Sequence, residues 1–142
     1  MAAWVKKYLT GRLILHPRAE RSISKAEYED IPMIYQALLI LANEYRDSRL
    51  GKAPDAPFRE ALKKYRMDFS GSIAEANAKA AGDEYFVNYP IGTQNKELLK
   101  FHIERGNSRE KRFCMRIYYF WDADTSQIVV GYLPDHLSNR AS

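Results

Sequence analysis

The clearest hydrophobic pattern in the chain lies between residues 113 and 132, where two runs of aromatic and β-branched residues flank a polar cluster at 122–126. This composition predicts a β-hairpin with a loop of about five residues. Because side chains alternate along a strand, the first run divides into two faces. The face expected to join the core carries Phe113, Met115, Ile117, Tyr119 and Trp121. The opposite face carries Arg112, Cys114, Arg116, Tyr118 and Phe120.

The first third of the chain predicts a strand followed by two helices. The apolar run at 12–16 stops at Pro17, which favours a strand that leads into a helix beginning at that proline. Asp30 suits the N-cap of the next helix, and apolar residues then recur at helical spacing as far as Tyr45. This second helix has the strongest pattern and is expected to be the main packing partner of the sheet.

The middle of the chain has weaker patterns. Helical spacing recurs at 57–67, a capping box at 72–75 precedes an alanine-rich segment, and 84–89 has the composition of a strand. The segment 97–105 fits both periodicities, and we favour a helix there. The sequence therefore predicts one α+β domain over residues 1–142, with a helical insertion at about 50–83.

Composition sets limits on the class of protein. A chain of 142 residues fits one domain, and no apolar run approaches the ~20 residues needed to cross a bilayer. The N-terminus lacks the apolar core and cleavage site of a signal peptide. With Cys114 as its single cysteine the chain has no internal disulfide, and we expect a cytoplasmic protein that does not bind membranes.

Charge is concentrated in one region. The segment 95–116 holds seven basic and three acidic residues, and so accounts for the whole net charge of +4. A local basic surface is typical of proteins that bind RNA or DNA, although a solvated charged loop has the same composition. The basic residues considered for RNA contact are Arg105, Arg109, Lys111 and Arg112, with His102 as a titratable neighbour.

Several kinds of site find no support in the sequence. The glycines are scattered and none forms a phosphate-binding loop, while one cysteine and three separated histidines match no zinc spacing. No cofactor or metal is therefore predicted. Cys114 is interpreted as a small buried hydrophobe rather than a nucleophile.

The late hairpin offers groups suited to cleaving RNA. That reaction needs a base for the 2′-hydroxyl, a cation for the phosphorane and an acid for the leaving oxygen. Arg116 fits the cation, because its planar fork binds two phosphate oxygens. His136 can serve as acid or base, and Tyr118 can orient or stack on a base. Each residue also has a structural alternative. Pairing of Arg116 with a carboxylate such as Glu84 is weighed equally with phosphate binding, whereas a loop or cap role is commoner for a residue such as His136 and packing is commoner for Tyr118.

The order of these patterns resembles the RelE/ParE-like toxins. The opening LILHPRAERSI is similar to the first strand and helix of that family, and RIYY, an acidic turn, IVVGYL and a terminal His resemble its last two strands. The resemblance implies a small twisted antiparallel sheet packed by N-terminal helices. It also implies phosphate stabilisation by Arg116, acid or base chemistry by His136, and neutralisation by a cognate antitoxin.

The leading hypothesis is thus a metal-independent mRNA endoribonuclease of toxin type, free or on the ribosome. One alternative is a non-catalytic module of the same fold that binds a partner protein or nucleic acid, in phage defence or a mobile element. Another is a toxin directed at gyrase. The nuclease hypothesis requires Arg116 and His136 to lie on the same accessible surface.

Overall fold

The computed structural model describes residues 1–80, 82–106 and 110–137. Its helices are α1 (Ala2–Tyr8), α2 (Pro17–Ile23), α3 (Ile31–Ile40), α4 (Arg46–Arg49), α5 (Ala56–Lys64) and α6 (Glu75–Ala80). A π-helical turn, Leu41–Tyr45, joins α3 to α4, and a 3-10 turn spans Lys111–Phe113. The strands are β1 (Leu13–Leu15), β2 (Asp68–Gly71), β3 (Phe86–Asn88), β4 (Lys96–Leu98), β5 (Phe101–Arg105), β6 (Met115–Asp122) and β7 (Gln127–Tyr132).

Five strands form one mixed sheet in the order β1-β7-β6-β5-β2. Strand β1 runs parallel to β7, whereas the other neighbours are antiparallel. The prediction of a wholly antiparallel sheet is therefore wrong at this edge. A parallel pair needs a long crossover connection, and nearly the whole chain lies between these two strands. Strands β3 and β4 form a separate antiparallel pair, and the fold is α+β as predicted.

One face of the five-stranded sheet forms the main core with α3 and the π-helical turn, as the sequence predicted. Asp30 caps α3, because its side chain accepts a hydrogen bond of 3.3 Å from the backbone N–H of Met33. Met115, Ile117 and Tyr119 are fully buried on this face. The alternation predicted for β6 is confirmed for these residues.

The opposite face of the sheet carries a second apolar cluster, which comes largely from the segments around α6 and the β3–β4 pair. Its buried members are Ala78, Tyr85, Val87, Leu99, Tyr118, Phe120, Val129 and Leu137. The polar residues of this face belong to β2, β5 and the start of β6. This second cluster therefore borders the region in which the candidate site lies.

Two predictions about secondary structure are wrong. The segment 97–105 is the end of β4 followed by β5, because pairing of β5 with β2 and β6 outweighs its helical periodicity. Strand β6 begins only at Met115, so Arg112 and Phe113 lie in the 3-10 turn and Cys114 lies between the turn and the strand. Phe113 is consequently 49% exposed rather than part of the core.

The segment predicted as a helical insertion contains α5 and α6, but it also contributes strand β2 to the edge of the sheet. Phe58, Leu62 and Met67 from this segment are buried in the main core. The segment is thus integrated into the domain. None of the helices in the described part of the chain combines the length and apolar content that a membrane crossing requires.

Replacing Gly131 by alanine should destabilise the protein by about 1–3 kcal/mol, through overpacking of the second cluster. A Cβ atom built at this position lies 2.4 Å from Cδ2 of Leu99 and 3.0 Å from Cγ1 of Val87, and both of these side chains are buried. Urea denaturation measures the change. Gly71→Ala is the matched control in a strand, because its nearest atom is a carbonyl oxygen at 3.8 Å. Equal stability of the two variants would contradict the packing argument.

Candidate functional site

Arg116 lies at the start of β6, on the face of the sheet opposite the main core. It is paired in register with Glu104 of β5, and its Nη1 atom lies 2.9 Å from Oε2 of that carboxylate. The two side chains are 16% and 28% exposed. The carboxylate beside Arg116 is thus that of Glu104, whereas the sequence analysis had suggested Glu84. Most of this ion pair is shielded from solvent, so its two charges interact more strongly than those of a fully solvated pair.

His102 lies two residues before Glu104 on the same face. Its Nε2 atom is 3.2 Å from Oγ of Ser70 on β2 and 3.8 Å from Oε2 of Glu104. Burial, together with the positive charges of Arg116 and His136, lowers the pKa of His102 to about 4. The imidazole is therefore neutral near pH 7.

His136 is an exposed residue in the segment that follows β7. Two contacts hold this segment against β6. The backbone N–H of Leu137 donates to the hydroxyl of Tyr118 at 3.1 Å, and the backbone N–H of Arg116 donates to the carbonyl of Pro134 at 2.8 Å. The fold thereby brings His136 to the same end of β6 as Arg116.

Tyr118 is only 2% exposed, and burial raises the pKa of its hydroxyl well above the ordinary value. Its ring lies edge-on to that of Tyr85, with the centroids 6.0 Å apart. Together with the hydrogen bond from Leu137, these contacts give Tyr118 a positioning role. Its hydroxyl holds the segment that carries His136, while its ring is packed in the second apolar cluster.

A pocket of about 270 Å³ brings these groups together. It is lined by Ser70, Gly71, Ser72, Tyr85, His102, Glu104, Arg116, Tyr118 and His136. Arg116 and His136 therefore share one accessible surface, which is the geometry that the nuclease hypothesis requires. Both are cations or potential cations, so the pocket suits an anionic group such as a phosphate.

Three polar atoms in the lining of this pocket are buried and have no hydrogen-bond partner among the described residues. They are Oγ of Ser72, Nδ1 of His102 and Nε of Arg116. Buried polar groups in folded proteins are nearly always paired, so exceptions gathered at one place are typical of a ligand site. Two of the three can donate a hydrogen bond whatever the tautomer of the imidazole.

The other predicted RNA-binding residues are more dispersed. Arg105 is bound to the protein, since its Nε donates to the carbonyl of Tyr65 at 2.9 Å. Lys111 lies 3.6 Å from Asp135, close in sequence to His136. The prediction that Arg112 lies beside Arg116 on a strand face is wrong, because the 3-10 turn directs it to Glu29 and Glu110. Arg109 lies outside the described residues.

Sequence reasoning missed Glu104, Ser70, Ser72 and Tyr85 as members of the site. Glu104 was missed because 97–105 was predicted as a helix, and Ser70 was missed because no strand was predicted at 68–71. Alternation of His102 and Glu104 along a strand was the one available signal. Comparisons of the chain with family models, curated proteins and solved structures found no match.

Proposed function

We propose that the protein is a metal-independent mRNA endoribonuclease of toxin type that acts in the cytoplasm. The observation that carries this proposal is the convergence of Arg116 and His136 on one pocket, beside the neutral imidazole of His102. A guanidinium and an exposed imidazole are a minimal set for phosphodiester cleavage, because one stabilises charge and the other transfers protons.

In the proposed reaction the 2′-hydroxyl of the substrate attacks the adjacent phosphorus, and the bond to the 5′ oxygen of the next nucleotide breaks. Arg116 binds the non-bridging oxygens and stabilises the additional negative charge of the phosphorane. The exposed imidazole of His136 takes the proton of the attacking 2′-hydroxyl and gives it to the departing 5′ oxygen. Glu104 and Ser70 orient Arg116 and His102 through the contacts described above. The products are a cyclic phosphate and a free 5′-hydroxyl.

The RelE/ParE-like assignment belongs to the same proposal. The order β1, α2, α3 and then the antiparallel strands β5, β6 and β7 is compatible with the order of elements that the sequence resemblance implies. A cognate antitoxin that neutralises the protein, and action on ribosome-bound mRNA, follow from that resemblance and are proposed with it.

Purified protein should cleave a short synthetic RNA in the presence of EDTA, and should leave the same oligonucleotide intact when every 2′-hydroxyl is methylated. The reason is that the 2′-oxygen is the proposed nucleophile. His136→Gln should lose most of the activity, whereas Lys7→Ala, which removes a charge from α1, should retain it. The assay is run with and without ribosomes, and products are analysed for the cyclic phosphate. Cleavage of the methylated RNA would contradict the mechanism.

A non-catalytic interaction module is the second candidate, and the ion pair between Arg116 and Glu104 favours it, because that carboxylate already neutralises the arginine. Salt-sensitive RNA binding without any cleavage, on or off the ribosome, would support this module. DNA breakage in cells without loss of RNA would instead support a poison of gyrase.

A further inference from the structure

The pocket at Arg116 and His136 continues into two further depressions. The first, of about 710 Å³, shares Glu104 and Arg116 with the pocket and is also lined by Arg66, Asp68, Arg105 and Gly106. The second, of about 520 Å³, shares Arg66 and Asp68 with the first. The three form a continuous path from β6, across β5, to the edge strand β2 and helix α5.

This path is predominantly basic. The two outer depressions are lined by five cations, Arg59, Lys63, Arg66, Arg105 and Arg116, and by two carboxylates, Asp68 and Glu104. Arg59, Arg105 and Arg116 each have an acidic neighbour, respectively Asp55, Asp30 and Glu104. Lys63 and Arg66 are exposed and have no ion pair within the described part of the chain.

Arg66 has an unusual backbone conformation, with φ at 57°. The left-handed region is unfavourable for a side chain with a Cβ atom, and glycine is the residue that commonly fills it in tight turns. This conformation ends α5, where the backbone N–H of Met67 donates to the carbonyl of Leu62 at 2.9 Å. The turn between α5 and β2 thus carries an arginine where geometry favours glycine, at the point where the two outer depressions meet.

The far end of the path has a surface on which a base can stack. The guanidinium of Arg59 lies over the ring of Phe69, 5.1 Å from its centroid, and the Arg59 side chain is 55% exposed. Planar guanidinium and aromatic groups beside a basic groove are typical of proteins that bind single-stranded nucleic acid.

We propose that this path is a binding track for single-stranded RNA, in which Arg66 and Lys63 bind phosphates next to the one held at Arg116. The identity of the ligand as RNA rests on the proposed function. The substrate is then an extended strand of several nucleotides rather than a dinucleotide or a duplex. Residues 59–69 of the inserted segment supply most of the track, whereas β5, β6 and the segment after β7 supply the reacting groups.

Binding of a fluorescent 12-nucleotide RNA with methylated 2′-oxygens tests this track without cleavage. Arg66→Gly should weaken binding severalfold at about 100 mM salt, and should reduce the slope of log affinity against log salt by about 0.7, the value for one phosphate contact of a single strand. Arg66→Lys should keep the slope. Lys7→Ala, on the helix beside β1 at the opposite edge of the sheet, is the charge-matched control and should bind like the original protein.

Glycine is chosen at position 66 because it suits the observed backbone, so the thermal midpoint of Arg66→Gly should equal or exceed that of the original protein. An unchanged salt slope for binding of the 12-mer to Arg66→Gly would overturn the track. If the binding of duplex RNA depends on Arg66 as strongly as the binding of the 12-mer does, the proposed selectivity for single strands is wrong.

The proposal of the RNA-binding track and the proposal of nuclease activity can be disproved independently. If the original protein cleaves no RNA but its binding of the 12-mer depends on Arg66, the track holds and the nuclease is wrong. If cleavage occurs and depends on His136 but Arg66→Gly binds the 12-mer like the original protein, the nuclease proposal is supported and the track is wrong.

Discussion

Replacing Arg116 by alanine should lower the rate constant for RNA cleavage about 100-fold to 1000-fold, the usual cost of removing one preorganised donor to a developing negative charge. Arg116→Lys should retain part of the activity, because the ammonium keeps the charge but loses the planar fork. Single-turnover cleavage of a short RNA under saturating protein measures both. Arg21→Ala, outside the pocket and the track, is the arginine-matched control and should cleave normally.

The same variant has a second readout, which is measured on protein that circular dichroism shows to be folded. The positive charge of Arg116 is one cause of the low pKa of His102, so this pKa should rise above about 4 in Arg116→Ala. An NMR titration of the imidazole protons follows the change. Full cleavage activity in a folded Arg116→Ala protein would remove Arg116 from the proposed mechanism.

Acidification should destabilise the protein between about pH 6.5 and pH 4, and His102 should account for about 3 kcal/mol of this loss. In the unfolded chain His102 takes up a proton near its ordinary pKa of 6.5, whereas in the folded protein it does so only near 4. The unfolded state therefore binds more protons throughout this interval, and the free energy of unfolding falls as the pH falls. Below about pH 4 the contribution of His102 no longer changes.

Urea denaturation of the original protein and of His102→Asn, repeated across this pH range, isolates the effect. The variant lacks the imidazole but keeps the other titrating groups, so the difference between the two curves reports His102 alone. The original protein should lose its stability more steeply than the variant. Parallel curves would mean that His102 is not desolvated as its burial indicates.

The best predicted part of the fold is the part governed by local pattern. Alternation along β6 identified Met115, Ile117 and Tyr119 as core residues, and helical spacing after Asp30 identified α3. Both patterns reflect one dominant buried face, which the sequence records directly. The second cluster was not predicted, because the segment of Leu99 fits both helical and strand periodicity and the strand of Val129 is apolar on both faces.

The site was predicted only in its central members. Arg116, Tyr118, His136 and His102 were all proposed from the residues, and the pocket contains all four. Glu104 was not proposed, because its position beside Arg116 depends on the pairing of β5 with β6, a contact between distant segments. Periodicity within 97–105 did not distinguish a helix from a strand, and only the neighbouring strands decide that question.

The segment from α5 to β2 has a consequence for how this protein can diversify. Under the proposed function, the reacting groups lie on β5, β6 and the segment after β7, whereas Lys63 and Arg66 lie in α5 and the turn after it. The two regions meet along the four register pairs that join β2 to β5. If the proposed function is correct, mutations in α5 and the turn after it change which RNAs are bound while the proposed reacting groups keep their positions. Under the same proposal, substitutions at Lys63 and Arg66 are a direct route to altered target preference.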